Sequence, residues 1–180
     1  PAYERSFGSN APATLAARLT LAKLSNMLND YEVSLREAKA VARERERSLG
    51  HDHPDTLQAL ALVGANRVRL AQAEPAFAEV EIAMRDLLQR QQRILGRDHP
   101  QTLASMSEMV RLLGKQGRPD KSRQAIALQR QVMQARQRTL GEMHLDSVVA
   151  LASLASLQAT AGMRDQSVRN ARLALERYEE

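Results

Sequence analysis

The sequence contains no cysteine and no tryptophan, and only five of its 180 residues are aromatic: Tyr3, Phe7, Tyr31, Phe77 and Tyr178. Without cysteine there are no disulfides, thiolate zinc sites, iron–sulfur clusters or cysteine nucleophiles. No stretch approaches the roughly 18 apolar residues that a membrane span needs, and no basic start followed by an apolar run reads as a signal peptide. Gly-x-Ser-x-Gly, a Gly-rich phosphate loop and His-Glu-x-x-His are all missing, and no spacing of Ser, His and acid sets up a nucleophile with its base. No enzyme activity and no cofactor are expected. The chain opens at Pro1 without a methionine and is read as an excised fragment, with cytoplasmic localisation expected.

With 43% hydrophobic and 26% charged residues, the chain is too apolar for intrinsic disorder and should bury a core. Lacking aromatics, that core must be built from Ala, Leu, Val and Met, side chains that suit close helix-on-helix contact better than a sheet sandwich.

Self-similarity decides the architecture. The stretches Phe7–Leu15, Leu49–Leu57, Leu95–Leu103 and Leu140–Val148 align without gaps, and their Thr14, Thr56, Thr102 and Ser147 are separated by 42, 46 and 45 residues. Four repeats fill the chain. In three of them a proline (Pro12, Pro54 or Pro100) sits where a helix starts, since its fixed φ is helical and its missing N–H would be orphaned there. At one common distance past that point stand Asn29, Ala71, Gly117 and Gly162. Asn and Gly accept the left-handed conformation that ends a helix; in the second repeat Glu74-Pro75 is the expected stop. A second helix then runs to the next Leu-Gly, with apolar residues at helical spacing, as in Val168, Ala171, Leu175 and Tyr178. The additional residues of repeats 2 and 3 predict longer second helices over 81–94 and 126–139. The expected fold is all-α: eight helices in four pairs, forming a right-handed α-solenoid in a single domain, 1–180, with repeats near 7–48, 49–94, 95–139 and 140–180.

The motif Leu-Gly-x-Asp-His-Pro-x-Thr-Leu, clearest in Leu49–Leu57 and Leu95–Leu103, followed by two helices, resembles the tetratricopeptide repeat (TPR) of the kinesin light chain type. The resemblance covers nearly the whole chain, although the first copy lacks Asp-His and the fourth has Met143-His144-Leu145 in place of Asp-His-Pro. Such repeats also occur in bacterial multidomain signalling proteins, and the Ala, Arg, Leu and Gln bias suits a bacterial chain. The resemblance implies a protein-interaction scaffold whose first helices line a concave groove for an extended peptide or a partner helix. Carried over position by position, the groove residues are Ala16, Thr20, Lys23 and Met27; Gln58, Leu62, Ala65 and Arg69; Ala104, Glu108, Arg111 and Lys115; and Val149, Ser153, Ser156 and Thr160. The candidate ligand contacts among these are Lys23, Met27, Leu62, Arg69, Glu108, Arg111, Lys115 and Ser153. The family often has asparagine at the second position, where Thr20, Leu62, Glu108 and Ser153 stand here. Lys23, Arg69, Arg111 and Lys115 against Glu108 alone favour an acidic protein or peptide partner.

The four histidines, His51, His53, His99 and His144, all fall in the linker motif. His53 and His99 occupy equivalent places in successive repeats and so do not converge on one ion; no metal site is expected. The linker is read instead as the turn into the first helix, with Asp52 or Asp98 accepting orphan backbone N–H groups and Asp55 facing the positive helix end. The run Arg43-Glu44-Arg45-Glu46-Arg47 reads as a solvated face. Two basic sets, Arg85, Arg90, Arg93 and Arg97, then Arg123, Arg130, Arg136 and Arg138, raise a nucleic-acid footprint. Net charge is only +5 and stacking aromatics are nearly absent, which weighs against it. In the last helix Val168 and Ala171 are expected to face the core, leaving Leu173 and Leu175 at an open edge. That edge is expected to meet either further repeats of the parent protein or another copy of the chain, which makes a structural or oligomerisation module, self-associating through its terminal helices, the alternative function.

Overall fold

A computed structural model describes residues 11–179; Tyr3, Phe7 and the start of the first repeat motif lie outside the described residues. Among the latter there are eight helices and no strand: α1 (Pro12–Met27), α2 (Tyr31–Leu49), α3 (Pro54–Leu70), α4 (Ala76–Ile94), α5 (Pro100–Lys115), α6 (Pro119–Leu140), α7 (Leu145–Thr160) and α8 (Arg164–Glu179). They divide into two compact units, Pro1–Leu95 and Gly96–Glu180, each holding two helix pairs.

The punctuation of the sequence explains the helix limits. Pro12, Pro54 and Pro100 open α1, α3 and α5. Asn29 (φ 64°) and Gly117 (φ 65°) turn the chain out of α1 and α5 in the left-handed region, where a β-branched residue would be strained. The repeated threonine has a distinct job. Thr56 Oγ1 donates to the Gly50 carbonyl and Thr102 Oγ1 to that of Gly96, both at 2.9 Å, tying the first turn of each helix to the preceding Leu-Gly.

Three expectations about the linkers need correcting. The acceptors for orphan N–H groups are the histidines and not Asp52 or Asp98: Nδ1 of His53, His99 and His144 accepts from the N–H of Asp55, Gln101 and Asp146, at 3.1, 3.2 and 3.1 Å. Asp52 is instead an ion-pair partner of Arg90 Nε at 3.0 Å and of Arg93, and Asp98 of Arg138 at 3.0 Å. The first helix of repeat 2 ends at Leu70, before Glu74-Pro75, because Ala71 is extended (ψ 126°). The extra residues of repeat 2 therefore lengthen α3 and the connections 71–75 and 95–99; α4 has 19 residues, as α2 has. In repeat 3 the extra length does go into the second helix, with 22 residues in α6.

In the N-terminal unit Leu15, Leu19, Val41, Ala42 and Ala59 form one buried cluster, with Leu60, Leu62 and Val63 packed against it. Buried alanines such as Ala22, Ala38 and Ala59 let the helices approach closely, which is what a chain poor in aromatics can do well. A polar network crosses the same contact. Asn66 Nδ2 donates to Ser34 Oγ (2.8 Å) and the Leu62 carbonyl (2.9 Å), Asn26 Nδ2 donates to Asn66 Oδ1 (2.9 Å), and Ser34 Oγ donates to the Ala22 carbonyl (2.7 Å). The fully buried Asn66 is thereby satisfied. In the C-terminal unit Val148, Leu151 and Ala174 cluster with Met133 against them.

Two side-chain placements differ from expectation. Arg45 is not solvated: it is buried and donates through Nη1 to the Asp55 carbonyl at 2.8 Å, so the alternating run has one inward-pointing member. In α8 the core-facing residue is Ala174, while Val168 and Ala171 are exposed. The buried stripe lies one helical step from where the apolar pattern had suggested, since Leu, Val and Ala occur on two faces of this helix.

Candidate functional site

The first helix of each pair carries the candidate face. On α1, Ala16, Thr20, Lys23 and Met27 are all exposed, and Thr20 Oγ1 is spent on the Ala16 carbonyl at 3.0 Å. On α3 the equivalent Gln58, Leu62, Ala65 and Arg69 are half-buried, and Leu62 packs on the core cluster. On α5, Arg111 and Lys115 are exposed, Glu108 is half-buried, and Arg111 Nε stands 3.4 Å from Glu108 Oε2. On α7, Val149, Ser153, Ser156 and Thr160 are exposed, with Ser153 Oγ donating to the Val149 carbonyl at 2.8 Å.

The C-terminal unit gathers several of these residues into one groove. A cavity of about 430 Å³ runs between α5 and α7 with α6 at its wall, lined by Ser107, Val110, Arg111, Gly114, Gln129, Arg136, Val149, Ser153, Ser156 and Leu157. Arg111, Val149, Ser153 and Ser156 are groove positions expected from sequence. Ser107, Val110 and Gly114 lie one residue before the expected ladder on α5; Gln129 and Arg136 come from α6, a second helix. The one available signal for the floor was Gly114, a small residue late in a helix. Arg136 Nη1 donates to the Asp146 carbonyl at 3.2 Å and Gln129 Nε2 to the Ala150 carbonyl at 2.8 Å, so α6 is locked to α7 along the groove wall. The arrangement offers an apolar floor of Val110 and Leu157, serine hydroxyls on one side, and two guanidinium groups at the rim. Lys23, Met27, Leu62 and Arg69 belong to the other unit and do not share this cavity.

A second, more polar trench of about 420 Å³ lies between α6 and α8 over α7, with Arg130, Arg169, Asn170 and Arg177 on its sides. Arg177 is committed to Glu142. The basic sets on the second helices are also largely spent: Arg85 pairs with Glu81 at 2.7 Å, Arg90 with Asp52 and Asp86, and Arg138 with Asp98. Among the described residues no group of three or more His, Cys, Asp or Glu lies together as a metal site would require, and no helix is long and apolar enough to cross a membrane.

The tetratricopeptide repeat family matches residues 14–55 and 102–146. No curated protein matches the chain. Among solved structures, the kinesin light chain-type protein of Podosopora anserina with nearly identical TPR-like repeats superposes with a TM-score of 0.70 at 20% identity, covering 98% of this chain and 80% of that one. A single-substitution variant of it gives 0.74 at 19% identity with the same coverage. BtubC (BKLC) from P. vanneervenii gives 0.75 at 13% identity, over 91% of this chain and 63% of that one. Helix order, the Thr-to-Gly ties, the matched repeats and these superpositions agree: residues 14–55 and 102–146 match tetratricopeptide repeats, and the chain has the helix-pair fold of kinesin light chain-like repeats.

Proposed function

We propose that the chain is a non-catalytic, cytoplasmic protein-interaction module that holds an acidic peptide segment in the groove between α5 and α7. TPR repeats generally mediate protein–protein interaction, and the observation that supports a particular site is the groove itself. Its apolar floor accepts a side chain such as leucine, and the rim guanidiniums of Arg111 and Arg136 meet a carboxylate with charge-assisted hydrogen bonds. The serine hydroxyls replace the asparagine amide common in the family and offer acceptor lone pairs to peptide N–H groups. Spending Arg85, Arg90, Arg93 and Arg138 on intramolecular carboxylates argues against a nucleic-acid surface on the second helices.

Fluorescence anisotropy with a labelled Glu/Leu peptide and its Lys/Leu counterpart tests this reading. The acidic peptide binds and the basic one does not, and Arg111→Glu weakens binding by about tenfold or more, which corresponds to roughly 1.4 kcal/mol. Equal binding of both peptides, or an unchanged affinity in Arg111→Glu, overturns it. Tight capture of single-stranded RNA with a steep salt dependence would favour the nucleic-acid reading. A second reading, assembly of copies, is favoured by one specific observation: Leu175 and Tyr178 of α8 are exposed.

A further inference from the structure

The trench between α6 and α8 has a counterpart in the N-terminal unit, and the two differ in charge. Thr56 and Ser147 align α3 with α7, so Leu60, Val63 and Arg67 correspond to Leu151, Leu154 and Gln158, and each trio lines a cavity. Leu49-Gly50 and Leu95-Gly96 align α2 with α4. Ser34 and Ser167, each donating to the carbonyl twelve residues back, align α2 with α8. Glu79, Ile82, Asp86 and Arg90 of α4 therefore correspond to Gln166, Arg169, Leu173 and Arg177 of α8. The ion pairs keep this register: Arg90 and Arg177 each reach back to the linker that opens their own repeat, Arg90 to Asp52 and Arg177 to Glu142.

In repeat 2 the acids neutralise the arginines. Arg67 faces Glu79 at 3.6 Å, and Arg90 faces Asp86 at 3.3 Å. In repeat 4 two amides replace the first pair, with Gln158 Nε2 donating to Gln166 Oε1 at 3.1 Å; Leu173 replaces Asp86, and Arg169 replaces Ile82. Asn170 Nδ2 donates to Oε1 of the buried Gln158 at 2.7 Å, so the amide at the trench floor is neutral and satisfied. Arg169 on the α8 wall and Arg130 on the α6 wall are exposed and line the trench. Among the described residues neither has a carboxylate partner.

Both walls and the floor lie within the C-terminal unit. A further helix pair after α8 would leave Arg169 open. Arg45 and Arg136, each donating to the carbonyl ten residues ahead, align α2 with α6. These two helices do have a helix pair after them, and Arg36 and Ala127, in the place of Arg169, are exposed there.

We propose that this trench is a second binding site, for a phosphorylated serine or threonine side chain of a partner protein. A phosphomonoester carries about −1.5 to −2 charge at neutral pH and three acceptor oxygens, enough to engage a guanidinium on each wall. A carboxylate, with a single charge, leaves one of the two arginines unpaired. The trench, about 420 Å³ with Met133, Leu151 and Leu154 beside the arginines, also takes the residues flanking the phosphate, which a free phosphate ion would leave unused. The site is separate from the α5–α7 groove and does not rest on that reading.

Fluorescence anisotropy with a labelled Leu/Ala/Gly peptide carrying one phosphoserine tests it. The wild type binds this peptide about tenfold or more tightly than the same peptide with glutamate or serine in that place. Arg130→Gln with Arg169→Gln weakens binding by about tenfold or more, the scale of losing charge-assisted hydrogen bonds. Gln166→Glu with Leu173→Asp, which restores the acids of repeat 2 and keeps both arginines, weakens it too. Arg111→Glu leaves it unchanged. Equal binding of the glutamate peptide, or an unchanged affinity in the arginine variant with its helical circular dichroism intact, overturns the site. Loss of binding in Arg111→Glu instead moves the phosphopeptide to the groove, overturning this inference and keeping that reading. Inorganic phosphate that displaces the peptide at equal concentration makes free phosphate the occupant and overturns the peptide. Single-stranded RNA that binds more tightly than the phosphopeptide, and is lost in the arginine variant, overturns it in favour of nucleic acid.

Discussion

Arg45, a residue only 7% exposed, donates through Nη1 to the backbone carbonyl of Asp55 at 2.8 Å, so an arginine in the middle of a charged run fastens α2 to the first turn of α3. Its equivalent Arg136 makes the same bond to Asp146 at 3.2 Å from a half-buried position. Replacing Arg45 by Met keeps the apolar stem and removes the bond. We expect a loss of about 1.5 to 3 kcal/mol, the range for hydrogen bonds to charged groups. Arg136→Met should cost less, at or below about 1 kcal/mol, since water replaces the lost donor. Urea denaturation followed by circular dichroism checks the order; equal losses would show that burial does not set the value of this bond.

Gln91 occupies the same place in α4 and behaves differently. It is fully buried, and neither its Nε2 nor its Oε1 has a hydrogen-bond partner among the described residues. A buried amide left unpaired costs about 1 to 3 kcal/mol, and an apolar group of similar shape avoids that cost. Gln91→Met should therefore be neutral or raise the urea midpoint, the opposite sign to Arg45→Met. A clear loss of stability in Gln91→Met would mean that the amide is satisfied.

The helix pairs were legible in the sequence because their punctuation repeats. Proline at the first helical position, threonine two residues on and Asn or Gly at the far end each impose a backbone constraint that no tertiary contact has to supply. What stayed hidden depends on side chains choosing between equivalent neighbours. Asp52 and His53 both precede Pro54, and either can accept an N–H; only the position of Arg90 and Arg93 decides that the carboxylate is drawn away and the imidazole caps. Arg45 reads as solvent-facing until the Asp55 carbonyl is found beside it. The groove was half legible: α5 and α7 supplied periodic positions, but Gln129 and Arg136 stand on α6, where charge alone did not separate a groove wall from a surface.

Gly64 and Gly114 both lie within helices, and the same substitution should have opposite effects. A Cβ at Gly114 meets Leu157 Cδ2 at 3.8 Å, an ordinary contact, so Gly114→Ala should gain the helix propensity difference of about 1 kcal/mol. At Gly64 a Cβ would clash with Met84 Sδ, and Met84 is buried in the packing of α3 against α4. Overpacking costs about 1 to 3 kcal/mol, which outweighs the propensity gain and leaves a net loss near 1 kcal/mol. Paired with Met84→Ala, Gly64→Ala should lose less than it does alone, since the clashing sulfur is gone. A double-mutant cycle measures that coupling, and strict additivity would place the clash elsewhere.

The division of labour between Asp52 and His53 gives the last test. His53 Nδ1 accepts from the N–H of Asp55, the second residue of α3, which places the ring proton on Nε2 and satisfies one of the helix's orphan donors. His53→Ala should cost about 1 kcal/mol, within the range for losing an N-cap acceptor, and His53→Asn should recover most of it because the amide oxygen is a good cap. Asp52→Ala removes the pairs with Arg90 and Arg93, but Asp52 and Arg93 are both substantially exposed to water, so the loss should stay below about 1 kcal/mol and shrink with added salt. The histidine effect should persist in salt, since a neutral hydrogen bond is not screened. If the aspartate proves the costlier residue to remove, and its cost is independent of salt, the carboxylate is the cap of α3 in solution and the ring is not.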